Sequence, residues 1–356
     1  MSKKWVLDIL MPNLISFFCF YYYKRKWLVI RQLLHMFNRK YDEIIKIENL
    51  LIAWQKFLRG KRYKKDVMIF QMNLSHNLTC LWRELDTRNY THGSYSLFEI
   101  YDPKPRTIHK ASVRDRLLHH LVYSEIYPYF DQRFIHDSYS CRKDKGLHCA
   151  LDRFDYFAGK VSKNNTRACW VLKCDVKKFF ASIDHKILLH LLKRRIADSD
   201  IILLIEKIIL SFNNDCGGKG LPLGNITSQF FANVYLHEFD IYAKQELRIK
   251  YYLRYADDFA ILADDRQYLE ILLSGINAFL NEKLRLKLHQ NTIIKTYASG
   301  VDFLGWMHFP YYRQIRTTTK RRIVHCFKDY CDPQVLNSYR GLLKYGNTYK
   351  LQKLIF

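Results

Sequence analysis

Two adjacent carboxylates, Asp257 and Asp258, interrupt the apolar, β-prone run from Tyr251 to Leu262 where a tight hairpin would turn. Side chains alternate across a strand, so Tyr251, Leu253 and Tyr255 share one face and the turn lifts Asp257 out of the sheet. Acids also suit turns for local hydrogen-bonding reasons, and this stretch alone leaves both a cation site and an ordinary Asp-Asp turn open. A second acidic position weighs toward the cation. Cys169 to Val176 reads as a strand whose Leu172, Cys174 and Val176 face a core, leaving Asp175 on the other face with Lys173. Two strands that each project an Asp can hold two divalent ions roughly 3.5–4 Å apart, one activating an attacking oxygen and one stabilising the leaving oxygen of an in-line phosphoryl displacement. Mg²⁺ suits such a site, because it takes oxygen ligands and keeps positions open for substrate phosphates.

Helices and short strands must position these acids. Ile44, Ile45, Ile47, Leu50, Leu51, Trp54 and Leu58 recur at helical spacing between Tyr41 and Arg62, and Gly60 closes the run. Phe70 to Leu85 continues as helix, Ser112 caps the next, and Ile187–Ile196, Ile201–Phe212 and Tyr268–Leu284 follow with one apolar face each. Asp184 reads as the cap of a helix beginning at His185, not as a metal ligand. Phe98 to His109 alternates around two prolines, which predicts short hairpin-like strands with Lys104 and Arg106 pointing the same way. Leu286-Lys287-Leu288 is expected as a short strand, and Arg313 to Phe356 as basic helix.

Composition points to a polyanionic partner. Lys and Arg number 58 against 34 acids, a formal net charge of +24 spread over 356 residues, and 26 Tyr and 23 Phe offer surfaces on which bases can stack. Nine cysteines without a Cys-x-x-Cys pair signal neither a zinc ribbon nor a disulfide framework, and fit a reducing cytoplasm. Residues Ile9 to Tyr23 are apolar between basic flanks. They contain Pro12, Asn13 and Ser16, lack a small-residue cleavage site, and are shorter than a spanning helix, so no integral membrane span is expected.

Tyr255-Ala256-Asp257-Asp258 on a hairpin, preceded by Asp175-x-x-x-x-Phe180, resembles the palm of a reverse transcriptase. The resemblance runs from about residue 41 to the end. It implies an α+β right-hand polymerase with fingers, an antiparallel palm sheet and a helical thumb: an extension over 1–40, N-terminal helices and fingers over 41–165, palm over 166–309 with helices 185–212, and thumb over 310–356. It implies catalysis by Asp175, Asp257 and Asp258, with two Mg²⁺ held by Asp175, Val176, Asp257 and Asp258. Lys104 and Arg106 match the residues that grip the incoming triphosphate, and Phe180 matches the ring that lies under the sugar and excludes a ribose 2′-hydroxyl. Leu223, Gly224 and Gln229 match the nucleotide-binding loop. Arg114, Arg116, Arg142, Lys145, Asn225, Ser228 and Gly305 match template or primer contacts, with a salt-bridged, structural Arg142 left open.

Gly217 to Gln229 narrows the resemblance further. Group II intron enzymes carry Gln before the matched Gly224, and Ser-Pro where this chain has Ser228-Gln229; Leu223 and Ser-Gln mark the reverse transcriptases of diversity-generating retroelements. That likeness implies error-prone copying opposite template adenines, a structured template RNA, a primer and its cDNA product, dNTPs, a small helical accessory protein and a bacterial or phage-encoded cytoplasmic enzyme. Relatives show a Lys at the position of Thr292, which leaves the acid for pyrophosphate unassigned. Two alternatives stand beside this reading: an antiphage-defence or group II intron-like reverse transcriptase copying a noncoding RNA, and a non-catalytic RNA-binding scaffold, against which the intact acids argue.

Overall fold

The computed structural model describes residues 36–101, 105–212, 217–328 and 333–355. The apolar stretch from Ile9 to Tyr23 and Lys104 lie outside the described residues, so the expectations for them go untested.

The expected first helix is two, α1 (Tyr41–Ile44) and α2 (Ile47–Phe57). Lys46 is extended at φ −50° and ψ 143°, and the Asn49 amide donates to the carbonyls of Glu43 (2.8 Å) and Ile44 (3.1 Å), which ends α1 before α2 begins. Helices α3 (Lys65–Met72) and α4 (Leu74–Asp86) and the antiparallel hairpin β1 (Ser96–Ile100) and β2 (Arg106–Lys110) follow. Helix α5 (Val113–Asp131) is capped by the Ser112 side chain, as expected. Helix α6 (Leu147–Val161) leads into the central sheet.

That sheet is antiparallel, ordered β4 (Tyr252–Tyr255), β5 (Asp258–Ala263), β3 (Trp170–Cys174), β6 (Ile293–Thr296). It separates two cores. Leu172, Cys174, Val176, Tyr252, Phe259 and Ile261 face a large core shared with helices α5, α8 (His185–Lys193), α9 (Ser199–Leu210), α10 (Ile226–Ile241) and α11 (Arg266–Leu284). Val171, Leu253, Ala260 and Leu262 face a second core with α6. The alternation read from the sequence is therefore correct for β3, but both faces of the sheet are covered, and Lys173 and Asp175 mark where the second face opens.

Two expectations are corrected. Residues Leu286–Leu288 form no strand: Arg285 turns left-handed (φ 51°) at the end of α11, and the chain then runs beside residues 175–177, Lys177 N–H donating to Lys287 O (2.8 Å) and His289 N–H to Asp175 O (2.7 Å). The strand that completes the sheet is β6, a few residues later. The region from Arg313 is also not all helix, because β9 (Arg313–Ile315) is the third strand of a sheet with β7 (Val301–Phe303) and β8 (Trp306–His308). A boundary between 309 and 310 would cut that sheet, whose Trp306 and Ile315 join the second core with residues of helices α12 (Thr317–Lys328), α13 (Pro333–Leu343) and α14 (Tyr349–Ile355). Cys80, Cys141, Cys149, Cys169 and Cys174 are free thiols, while Cys326 is disulfide-bonded, a bond that the cysteine spacing did not signal. Among the described residues no helix is long and apolar enough to cross a membrane.

Candidate active site

Sheet register brings the acids together. Cys174 pairs with Phe259, so Asp175 and Asp258, the next residues outward on each antiparallel strand, emerge side by side, and Tyr255 pairs with Asp258 to leave Ala256-Asp257 as a two-residue loop. Burial, and after it the charge of Asp175, pushes the Asp257 carboxyl up to about 6. Burial also raises Asp258 to about 6, with Asp175, Asp257 and Asp302 adding to the rise and Lys173 opposing it. The Lys173 ammonium is 3.9 Å from Asp258 Oδ1, too distant for a tight pair. Three crowded carboxylates with little neutralisation form an oxygen-only donor set that fits a hard divalent cation. Among the described residues no three His, Cys, Asp or Glu side chains make a ready cage, so such an ion would complete its shell with oxygens from outside the acids.

A cavity of ≈ 670 Å³ opens beside these acids, lined by Arg106, Lys173, Asp258, Gly305, Arg316 and Arg322 among others. Arg106, at the start of β2, is near enough for its charge to favour ionised Asp257. Gly305 lies in the β7–β8 loop, where Leu304 (φ 50°) and Gly305 (φ 86°) both turn left-handed, and a Cβ on Gly305 would meet nothing within 4 Å.

The Gly-rich loop is stitched on both sides. Leu221 N–H donates to Phe180 O (2.8 Å) and Gly220 N–H to Ile183 O (2.8 Å), tying it to the helical turn α7 (Phe179–Ser182). On the other side His109 N–H donates to Leu223 O (2.9 Å) and the Asn225 amide to His109 O (3.1 Å). Gly224 (φ 108°) fits because a Cβ there would be 2.7 Å from Ile108 Cγ2. Phe180 packs edge-on against Phe179 at 5.4 Å and is half-buried. Asp184 caps α8, accepting from Lys186 N–H (3.0 Å) and Ile187 N–H (3.2 Å) and pairing with Arg285 (2.8 Å), as the sequence indicated.

The remaining candidates divide. Gly224, Asn225, Gln229 and Arg116 line a second cavity of ≈ 600 Å³ with Lys61, Lys64 and Lys110. Ser228 is buried, and α10 starts at Ile226, so Ser228-Gln229 are its third and fourth residues rather than its opening. Three cations that match template contacts have partners within the chain, as does Arg116, whose Nη2 bonds Asp66, and Arg142 takes the structural role left open for it. Arg142 donates to Asp131 Oδ1 and to the carbonyls of Ile135, Ser138 and Asp131, a buried structural role. Arg114 is bound to Glu84 and Asp115 and lies over Tyr90. Lys145 Nζ donates to His136 O at 3.0 Å. Charge pattern alone does not reveal such pairing, because several of the partners are backbone carbonyls and the carboxylates are brought in by turns of the chain.

Acids at the end of a central antiparallel hairpin, with an arginine-bearing strand pair at the cavity beside them, are the arrangement of a right-hand polymerase fold. The chain belongs to the reverse transcriptase (RNA-dependent DNA polymerase) family, whose sequence profile matches residues 102–308, more than half of it. It is 24% identical over 248 residues to protein YkfC of Escherichia coli (strain K12), covering 58% of this chain and 65% of that protein. It is 27% identical over 153 residues to the group II intron-encoded protein LtrA of Lactococcus lactis subsp. cremoris, covering 42% and 24%. A putative COX1/OXI3 intron 2 protein of Saccharomyces cerevisiae is 21% identical over 339 residues, covering 73% and 38%. The chain thus spans about two thirds or less of the length of these relatives. Telomerase from Candida albicans in complex with an RNA fragment superposes with a TM-score of 0.48 at 10% identity, over 65% of this chain and 48% of that one.

Proposed function

We propose that this chain is an RNA-directed DNA polymerase that copies a structured template RNA into cDNA from a primer and dNTPs. The observation that carries the proposal is the juxtaposition of Asp175, Asp257 and Asp258 on the sheet, where Asp258 lines a cavity with Arg106 and Gly305. Asp175, Asp257 and Asp258, with the Val176 carbonyl, would hold two Mg²⁺. When bound, the ions supply activation of the primer hydroxyl and neutralisation of the charge that develops on pyrophosphate. Arg106, with a fork that matches phosphate oxygens, orients the triphosphate, together with Lys104. Phe180 lies beneath the sugar and excludes a 2′-hydroxyl. Leu223, Gly224 and Gln229 face the nascent pair, Arg116 and Asn225 the template, and Gly305 lets the primer backbone approach closely.

We further infer mutagenic copying within a diversity-generating retroelement, aided by a small accessory protein. Its support is Leu223 and Ser228-Gln229 in place of the Gln and Ser-Pro of intron enzymes. A second reading, an intron-like enzyme, is favoured by the intron-encoded relatives. Primer extension by purified protein on an RNA template with Mg²⁺ tests the activity: wild type should incorporate dNTPs, and Phe180→Val should raise rNTP incorporation relative to dNTP by an order of magnitude or more, ~1–3 kcal/mol of steric selection. Absence of DNA synthesis by wild type would sink the polymerase, and an unchanged sugar preference in an active Phe180→Val would reduce Phe180 to packing.

A further inference from the structure

Arg254 is fully buried, two residues before the catalytic turn. Its Nε donates to Asp240 Oδ1 at 2.8 Å and its Nη2 to Asp240 Oδ2 at 2.6 Å, a bidentate pair between β4 and the last turn of α10. Tyr252 OH donates to the same carboxylate at 2.6 Å. The third nitrogen, Nη1, reaches in two directions, to Asn233 Oδ1 (3.1 Å) two turns back along α10 and to the carbonyl of Ala256 (3.0 Å) inside the turn. Asn233 is held in its turn by donating to Ser140 O at 2.9 Å.

A buried ion pair is a poor device for stability, because desolvating both charges costs about what their attraction returns, and apolar residues of the same volume serve as well. Its presence here therefore asks for another reason. Ala256 supplies one: it is left-handed at φ 53°, a conformation alanine resists, in the loop that carries Asp257. A guanidinium bonded to that residue's carbonyl, and anchored to two points of one rigid helix, fixes the loop against relaxation. Helix α10 also begins at Ile226, directly after its cap residue Asn225 and the loop residues Leu223 and Gly224. The same clamp thus sets the catalytic carboxylates relative to the nucleotide-side loop.

We propose that Arg254, with Asp240 and Asn233, is a positioning residue that holds the Asp257-Asp258 turn in its metal-binding geometry. The proposal rests on the polymerase reading for its catalytic consequence, but not for its effect on metal binding. Lysine at 254 keeps the charge beside Asp240 yet cannot supply the planar three-way fork.

The test compares wild type, Arg254→Lys, the double variant Arg254→Met/Asp240→Leu, and Asn233→Ala. Three measurements are made: Mn²⁺ binding followed by loss of the free-ion EPR signal, kcat and template–primer KM in primer extension, and the melting temperature. Arg254→Lys and the double variant should bind Mn²⁺ at least threefold more weakly and lose at least tenfold in kcat, with template–primer KM within twofold of wild type. Asn233→Ala, which keeps the ion pair, should fall between them and wild type. Wild-type kcat and Mn²⁺ affinity in any folded Arg254 variant would overturn the proposal, as would losses of kcat and template binding that track melting temperature while Mn²⁺ affinity stays fixed. If Arg254→Lys does not fold, the double variant and Asn233→Ala decide by the same criteria. Should wild type make no DNA while Mn²⁺ affinity still depends on Arg254, the polymerase reading fails and the positioning role stands.

Discussion

Two tight hairpin loops lie near one cavity, which Asp258 lines at the end of the first and Leu304-Gly305 line in the second, and they are held differently. Ala256-Asp257, between β4 and β5, places a non-glycine residue in the left-handed region and clamps its carbonyl with a buried arginine. Leu304-Gly305, between β7 and β8, puts glycine at its second left-handed position and leaves open space where a side chain would be. Under the proposed function the first loop carries ion ligands, which lose effect if displaced by even an ångström, and the second offers its backbone to the primer, where clearance matters more than stiffness. Each loop thus holds one non-glycine residue left-handed, Ala256 or Leu304, and the difference between them is the buried arginine on the carbonyl of one and the open glycine beside the other.

Neutralising the rigid loop should give the largest effect. Asp257→Asn removes one carboxylate from the ion site and should lower DNA synthesis by on the order of 10³-fold or more, with RNA binding nearly unchanged. Stability should move the other way. A carboxyl raised to about 6 in the folded protein binds its proton more tightly than in the unfolded chain. The stability it contributes is full below the unfolded pKa near ~4 and is lost as pH rises through about 6. Metal-free Asp257→Asn should therefore melt ~1–3 °C above metal-free wild type at pH 8, with the difference closing at pH 4. A variant that melts lower than wild type at pH 8 would show that the acids are not crowded as the register implies.

Exchanging the character of the two loops sharpens the contrast at smaller magnitude. Gly305→Ala forces alanine into the left-handed region at a cost of about 1–2 kcal/mol, so the melting temperature should fall and template–primer KM should rise several-fold. Ala256→Gly removes a similar penalty but loosens the unfolded chain by ~0.4–1 kcal/mol, so the melting temperature should hardly move and kcat should stay within about threefold. The clamp, not alanine, would then be the source of stiffness. A kcat that collapses in Ala256→Gly while Gly305→Ala is silent would reverse the assignment of rigid and permissive loops.

Much of the acid site was legible because it depends on short-range rules. Alternation along β3 and β4 put Asp175 and Asp257 where the register now places them, and Ser112 and Asp184 announced their caps by residue type. What escaped is long-range. Arg114 matches a phosphate ligand in a basic chain, but its partner at Glu84 is found only by folding, whereas the structural alternative for Arg142, paired with Asp131, was already open in the sequence. Arg254 escaped for the same reason, since a charged residue on a β-prone run reads as solvent-facing unless Asp240 is known to lie opposite. Strand β6 was missed because Ile293-Ile294-Lys295-Thr296 is too short for periodicity to register, and its role is to close a sheet already formed.

The smallest expected effect falls on the loop that joins the two sides of the site. Leu223 offers its carbonyl to His109 N–H through the backbone, so a side-chain change leaves that link intact. Under the proposed function, Leu223 stands where intron enzymes have Gln, and an amide there could bond to a well-formed pair but not to a distorted one. One neutral hydrogen bond is worth about 0.5–1.5 kcal/mol net, roughly 2- to 13-fold in discrimination. Leu223→Gln should therefore reduce misincorporation opposite template adenine several-fold, and more than opposite the other three bases, with kcat for correct pairs little changed. Deep sequencing of cDNA made by wild type and variant on one RNA supplies the comparison. Wild type that copies adenine as faithfully as guanine, or an adenine error spectrum that Leu223→Gln leaves in place, would remove the support for mutagenic copying and leave the intron-like enzyme as the better account, without touching the carboxylate site on which polymerisation rests.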